Sequence, residues 1–237
     1  MLSSPTSKRI LVLVSGSGSN LQAIIDECAA GFINGKIVGV ISNVPKVFAL
    51  QRATAHNIPN VVVDHTSFEN RMLFDHALAE TVNEFAPDLI VLAGFMRILS
   101  ESFVSQFSGR MLNIHPSLLP KYPGLHTHKK VIENGDAHHG ASVHFVTAEL
   151  DGGPVVLQSV VDVNNADSIV SLQTKLAHTE WLIYPLAVKW FCQETLRLKQ
   201  DKVWFSEDLD FLLSIDKESA HCKLKITKGL QNDEDKR

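Results

Sequence analysis

The feature that most constrains this chain is a set of short apolar runs that do not alternate with polar residues. Ile10-Leu11-Val12-Leu13-Val14, Ile37-Val38-Gly39-Val40-Ile41 and Leu89-Ile90-Val91-Leu92 are apolar throughout. A strand of that kind has both faces covered, as in a parallel sheet packed between helices. Segments with helical spacing lie between the runs. Leu21, Ile24, Ile25 and Cys28 recur at i, i+3, i+4 and i+7, which is one face of a helix. Phe48 to His56 reads as a short helix and Val61-Val62-Val63 as a third strand. Ser67 to Phe85 reads as a longer helix, marked by Phe68, Met72, Leu78 and Val82 and closed by Pro87. Strand and helix in alternation predict βαβ units with right-handed crossovers. The expected fold class is α/β, with a mostly parallel central sheet and helices on both faces.

The second half has a different pattern. Met111 to Ile114 reads as a short strand running into a loop rich in proline and glycine (Pro116, Pro120, Pro123, Gly124). Val143 to Val146 and Val155 to Val163 read as two further strands, separated by Asp151-Gly152-Gly153-Pro154. A long helix is expected over roughly Ser168 to Phe191, with Pro185 kinking or breaking it. Leu196-Arg197-Leu198 and Val203-Trp204-Phe205 predict a small hairpin. Half of the residues from Asp216 onward are charged, which predicts a frayed tail, although Cys222, Leu224 and Ile226 alternate as in an edge strand.

Composition narrows the classes. Of 237 residues 45% are apolar and 20% charged, a globular composition that argues against disorder. Lys and Arg number 22 against 26 Asp and Glu, for a net charge of −4. No basic excess is left for wrapping duplex nucleic acid, so nucleic acid is not expected as the partner. Three scattered cysteines and no C-x-x-C motif predict a reduced, cytoplasmic protein without a disulfide framework. No run is long enough to span a bilayer. A single domain with two functional halves is expected.

Three segments carry candidate chemistry. Ser15-Gly16-Ser17-Gly18-Ser19-Asn20 lies between a buried strand and a helix. Glycines allow a tight turn and close backbone approach, and the helix start offers unpaired N–H groups to a phosphate. A side chain at Gly18 is expected to crowd that approach. The segment has neither the third glycine of G-x-G-x-x-G nor the Gly-Lys-Ser/Thr of a P-loop, and it reads equally well as a plain βα turn. In Asn113-Ile114-His115-Pro116, residues two apart face the same side of an extended chain. Asn113 and His115 can then act together, an amide donor for an oxyanion beside an imidazole for a proton. An isolated Asn-x-His pair is, however, more often a buried histidine with a backbone partner. Asp151, at a Gly-Gly turn, either caps its own backbone or pairs with His115 and favours the charged ring. Five histidines, His126, His128, His138, His139 and His144, lie close in sequence. Their spacing fits no metal-binding motif such as H-E-x-x-H, so no metal is expected. His138 and His139, being adjacent, should diverge.

Longer matches fix a family. Ser15 to Gln22, Leu92-Ala93-Gly94-Phe95-Met96-Arg97-Ile98-Leu99, the block Asn113 to His126, Ser142 to Val146 and Asp151 to Pro154 together resemble the phosphoribosylglycinamide formyltransferase family, folate-dependent enzymes of purine biosynthesis. The resemblance covers about Arg9 to Glu207 and implies a Rossmann-like formyltransferase fold. It implies a phosphate- and nucleotide-binding half over 9–110, a folate-binding and catalytic half over 111–207, and a tail over 208–237 with no matching role. By resemblance Gly18, Ser19 and Asn20 hold the substrate phosphate, and Asn113, His115 and Asp151 are the catalytic trio. Glu180 stands near the substrate amine. Arg71, Met96, Arg97, Ile98, Leu99, Asn113, Val146 and Thr147 contact folate. Ser17 departs from the asparagine often found there. The implied reaction moves the formyl group of 10-formyltetrahydrofolate to the primary amine of 5'-phosphoribosylglycinamide, without a metal. A homodimer is also implied.

Sister activities share the formyl-handling block. A methionyl-tRNA formyltransferase is expected to carry a basic C-terminal domain, which the short mixed-charge tail does not resemble. A formyltetrahydrofolate hydrolase is expected to carry an N-terminal regulatory domain and to need no phosphate loop. That hydrolase activity, or a catalytically silent folate- or nucleotide-binding module, is the alternative reading, against which the intact Asn113, His115 and Asp151 argue.

Overall fold

The computed structural model describes residues 7–206 and the backbone of 223–226. The chain divides into two compact units, Met1–Leu112 and Asn113–Arg237. In the first unit, β1 (Lys8–Val14), β2 (Gly35–Ser42), β3 (Asn60–Val62) and β4 (Leu89–Leu92) are in the order β3-β2-β1-β4, and the pairs are parallel. Ile10 to Val14 are all fully buried, which is why these strands lack alternation. α1 (Ser19–Ala29), α2 (Phe48–Ala55), α3 (Arg71–Phe85) and α4 (Glu101–Gln106) complete the unit. α1 buries Leu21, Ile24 and Ile25, the face that its spacing predicts. The expected class, α/β with a mostly parallel sheet, is the one found.

The helix expected from Ser67 starts later. The Asp64 side chain accepts from Thr66 N and closes one 3-10 turn, His65–Ser67, after which Phe68 is extended. Asn70 then caps α3 through Leu73 N. Two polar side chains thus divide the segment. The buried face is Phe74, Asp75, Leu78, Ala79 and Val82, and Met72 is 56% exposed.

β5 (Met111–His115) runs across the boundary between the units. The second unit continues with α5 (Thr127–Glu133), β6 (His138–Phe145), β7 (Val155–Asp162), α6 (Ile169–Cys192), β8 (Leu196–Lys199), β9 (Lys202–Phe205) and β10 (Lys223–Ile226). Strand order is β5-β6-β7-β10, with β6–β7 and β7–β10 antiparallel. β8 and β9 form the expected hairpin. In the expected tail, Lys223–Ile226 is an edge strand; 207–222 and 227–237 lie outside the described residues. α6 runs through Pro185 without a break, with Tyr184 to Val188 all buried. Packing on both sides of the proline outweighs its missing N–H. α4 and α5, short and weakly patterned, were not anticipated by the apolar spacing. Among the described residues no helix is long and apolar enough to cross a membrane.

Candidate active site

In the first unit, Ser15 to Gly18 form the turn between β1 and α1. Gly18, at the N-terminal end of α1, has φ +72. Any other residue is strained there. A Cβ would also come within 2.7 Å of Ala49 Cβ and 2.8 Å of Ala49 Cα, so the first thing it crowds is α2 rather than a ligand. The carbonyls of Gly16, Ser17 and Gly18 are occupied. Gly16 O accepts from Ala49 N at 3.1 Å and Gly18 O from Gln22 N at 2.9 Å, and Ser17 O accepts from Arg52 Nε at 3.0 Å. Arg52 also donates to Gln22 Oε1 and lies over the Phe48 ring. Sequence reasoning misses Arg52; its i+4 spacing from Phe48 on α2 was the available signal. No side chain caps α1. A helix start without a cap, on a turn with these carbonyls taken, suits an anion.

Ser15 to Asn20 line a cavity of about 180 Å³ together with Ala93, Gly94 and Met96. The two loops follow β1 and β4. At β1 the strand order reverses, and open α/β sheets bind ligands outside the carboxyl ends of strands at such a point. Met96 and Ile98 are 65% and 52% exposed, whereas Leu99 is buried. Arg71 is the exposed first residue of α3.

In the second unit, four side chains meet. Asn113 and His115, two apart on β5, are joined by His144 from β6 and by Asp151 from the turn after it. His115 Nε2 lies 2.9 Å from the Tyr122 carbonyl, which can only accept, so Nε2 carries a proton. Its Nδ1 is 3.4 Å from Asp151 Oδ2. Asp151 does not cap its own turn. Its Oδ2 accepts from Gly124 N at 2.8 Å, 27 residues away in sequence, and its Oδ1 is 3.8 Å from His144 Nε2. The residue has φ +50, a left-handed conformation that aspartate tolerates. Gly153, two residues on, must be glycine, since a Cβ would come within 1.8 Å of Phe145 O.

His144 is absent from the residues that sequence reasoning selects. It is 2% exposed, and burial, its largest influence, holds its pKa down. Its Nδ1 lies 2.9 Å from the Phe145 carbonyl, so Nε2 is the bare nitrogen and accepts from Asn113 Nδ2 at 3.0 Å. In the β6–β7 pairing the register shifts between Val143 and His144, where Val156 of β7 is the extra residue.

The loop 116–126 that supplies Tyr122 and Gly124 is pinned. Ser117 Oγ donates to Lys121 O, Ser142 Oγ to Ser117 O and Gln158 Nε2 to Leu119 O. The Tyr122 hydroxyl donates to Asp136 at 2.8 Å. That bond, followed by Lys121, keeps the Asp136 carboxyl below the usual range. His138 and His139 diverge: His138 meets Asp162 at the surface, and His139 is buried 2.9 Å from His128 Nδ1. Among the described residues no group of three or more His, Cys, Asp or Glu is arranged to hold a metal ion. Val146 and Thr147 follow the end of β6, half-buried, and Glu180 lies half-buried on α6.

The formyl transferase family model matches residues 8–188. Over 195 residues the chain is 50% identical to the phosphoribosylglycinamide formyltransferase of Escherichia coli (strain K12), covering 82% of this chain and 92% of that protein. The phosphoribosylglycinamide formyltransferase from Coxiella burnetii, solved in complex with CHES, superposes with a TM-score of 0.80 at 43% identity, covering 84% of this chain and 93% of the other. Glycinamide ribonucleotide transformylase 1 from Symbiobacterium toebii gives a TM-score of 0.84 at 38% identity, covering 87% and 98%. A family match along most of its length, together with this identity to a relative of nearly equal extent, means that the chain belongs to the formyl transferase family.

Proposed function

We propose that this chain is a phosphoribosylglycinamide formyltransferase. It takes the formyl group of 10-formyltetrahydrofolate to the primary amine of 5'-phosphoribosylglycinamide, giving formylglycinamide ribonucleotide and tetrahydrofolate in purine biosynthesis. The observation that carries this reading is the meeting of Asn113, His115, His144 and Asp151 in one cluster. The relatives' names agree with it.

In this reading the amine attacks the formyl carbon and the carbonyl oxygen becomes an oxyanion. Asn113 has two amide hydrogens; His144 takes one, and the second serves the oxyanion. The positive His115 ring stabilises the same charge. Asp151 faces that ring and relays the amine's proton, through water, to the folate nitrogen as the carbon–nitrogen bond breaks. Gly18, Ser19 and Asn20 hold the ribonucleotide phosphate. Glu180 serves the substrate amine. Arg71, Met96, Arg97, Ile98, Leu99, Asn113, Val146 and Thr147 contact the folate. The same reading takes the enzyme to be a cytoplasmic homodimer.

The test is release of tetrahydrofolate from 10-formyltetrahydrofolate, measured with and without the ribonucleotide. Release only in its presence is expected. Release without it would mark a hydrolase, and no release a silent binding module.

A further inference from the structure

The hydroxyl of Ser15 has two partners. It donates to Asn43 Oδ1 at 2.5 Å and accepts the Met96 amide at 2.7 Å. Ser15 opens the phosphate turn and lines its cavity, where the simplest role for a serine is to donate to the anion. A hydroxyl has a single proton, however, and here it goes to Asn43. Asn43 is itself buried, 2% exposed, and its backbone carbonyl accepts from His65 Nδ1 at 2.8 Å. What Ser15 does with its lone pair is hold a second loop, 81 residues away in sequence.

That loop connects β4 to α4. Gly94, with φ +72, gives it its turn. At its far end the Ser100 amide donates to the Asp75 carboxylate, which is 2% exposed on α3. The stretch from Met96 to Leu99 is therefore held at both ends by side chains of other elements, Ser15 at one and Asp75 at the other. Between these anchors Met96 and Ile98 stand exposed.

We propose that Ser15 is a positioning residue for the folate-contacting stretch Met96–Leu99, and not a ligand of the phosphate whose turn it belongs to. The assignment of that stretch to folate rests on the function proposed above. The contact with Met96 does not.

Ser15→Ala removes the hydroxyl and little else. The KM for 10-formyltetrahydrofolate should rise about tenfold, the scale of one lost hydrogen bond, while that for the ribonucleotide stays within about twofold. The Met96 amide should exchange with solvent at least about tenfold faster than in the parent enzyme. A ribonucleotide KM that rises as much as the folate KM would overturn the proposal, as would two unchanged KM values or an unchanged Met96 exchange rate. If the parent enzyme transfers no formyl group, the functional reading fails, while Met96 exchange still tests the Ser15 contact. Should Ser15→Ala not fold, Ser15→Cys, a weaker donor and acceptor of similar shape, is read by the same split.

Discussion

Asn113 Nδ2 lies 3.0 Å from His144 Nε2, on a ring whose other nitrogen faces the Phe145 carbonyl at 2.9 Å. The carbonyl fixes the tautomer, and the tautomer fixes which way the Asn113 amide points. A donor aimed in advance at a developing charge is worth far more than one that must turn to meet it.

His144→Leu keeps most of the volume and removes the acceptor. Turnover should fall by about 10- to 100-fold with both KM values within about threefold, because the loss falls on the transition state. Steady-state kinetics decide it. A raised KM at constant turnover would make His144 a binding residue instead.

Gly18→Val meets α2 before it meets any ligand. With φ +72 and a Cβ 2.7 Å from Ala49, the turn must shift, and the carbonyl contacts from Ala49 and Arg52 shift with it. The variant should be less stable by about 2 kcal/mol or more and should bind the ribonucleotide at least about tenfold more weakly, with folate affinity much less affected. Thermal melting and titration calorimetry measure the two effects. Equal loss of both ligands would remove support for the phosphate turn.

Low pH should weaken the second unit. Burial, with His128 adding to it, pushes the His139 pKa down to about 4, and burial chiefly lowers those of His128 and His144. A histidine that resists protonation when folded binds fewer protons than it does unfolded. Its stabilising effect is therefore complete above the unfolded value of about 6.5 and is lost as pH falls toward the folded one. For His139 alone the loss is at most about 3 kcal/mol. Urea unfolding at about pH 7.5 and about pH 5 should show it, and His139→Asn should flatten the difference. An unchanged pH dependence in the variant would contradict the assignment.

What was legible in the sequence follows from local physics. β1, β2 and β4 are continuous apolar runs because both faces are covered, and α1 shows its buried face at helical spacing. Asn113 and His115 share a side because a strand repeats every two residues. The start of α3 was not legible from apolar spacing, because Phe68 and Met72 continue the pattern while Asp64 and Asn70 break the backbone. The role of His144 depends on Asn113, 31 residues earlier. The Ser15–Met96 contact and the reach of Arg52 to the Ser17 carbonyl are likewise tertiary. A serine that lends its lone pair to a distant amide reads, in sequence, like any other serine of a glycine-rich turn.

In the proposed mechanism the His115–Asp151 pair, 3.4 Å apart, drives formyl transfer. Asp151→Asn keeps the shape, and an amide oxygen can still accept from Gly124 N, but the charge is gone. The direct measurement is the rate of formyl transfer to the ribonucleotide in a single turnover at saturating ligands. A fall of at least about 100-fold is expected, with both ligands still bound within about threefold of the parent affinity. Transfer at close to the parent rate would contradict it and leave Asp151 as a residue that only ties its turn to Gly124.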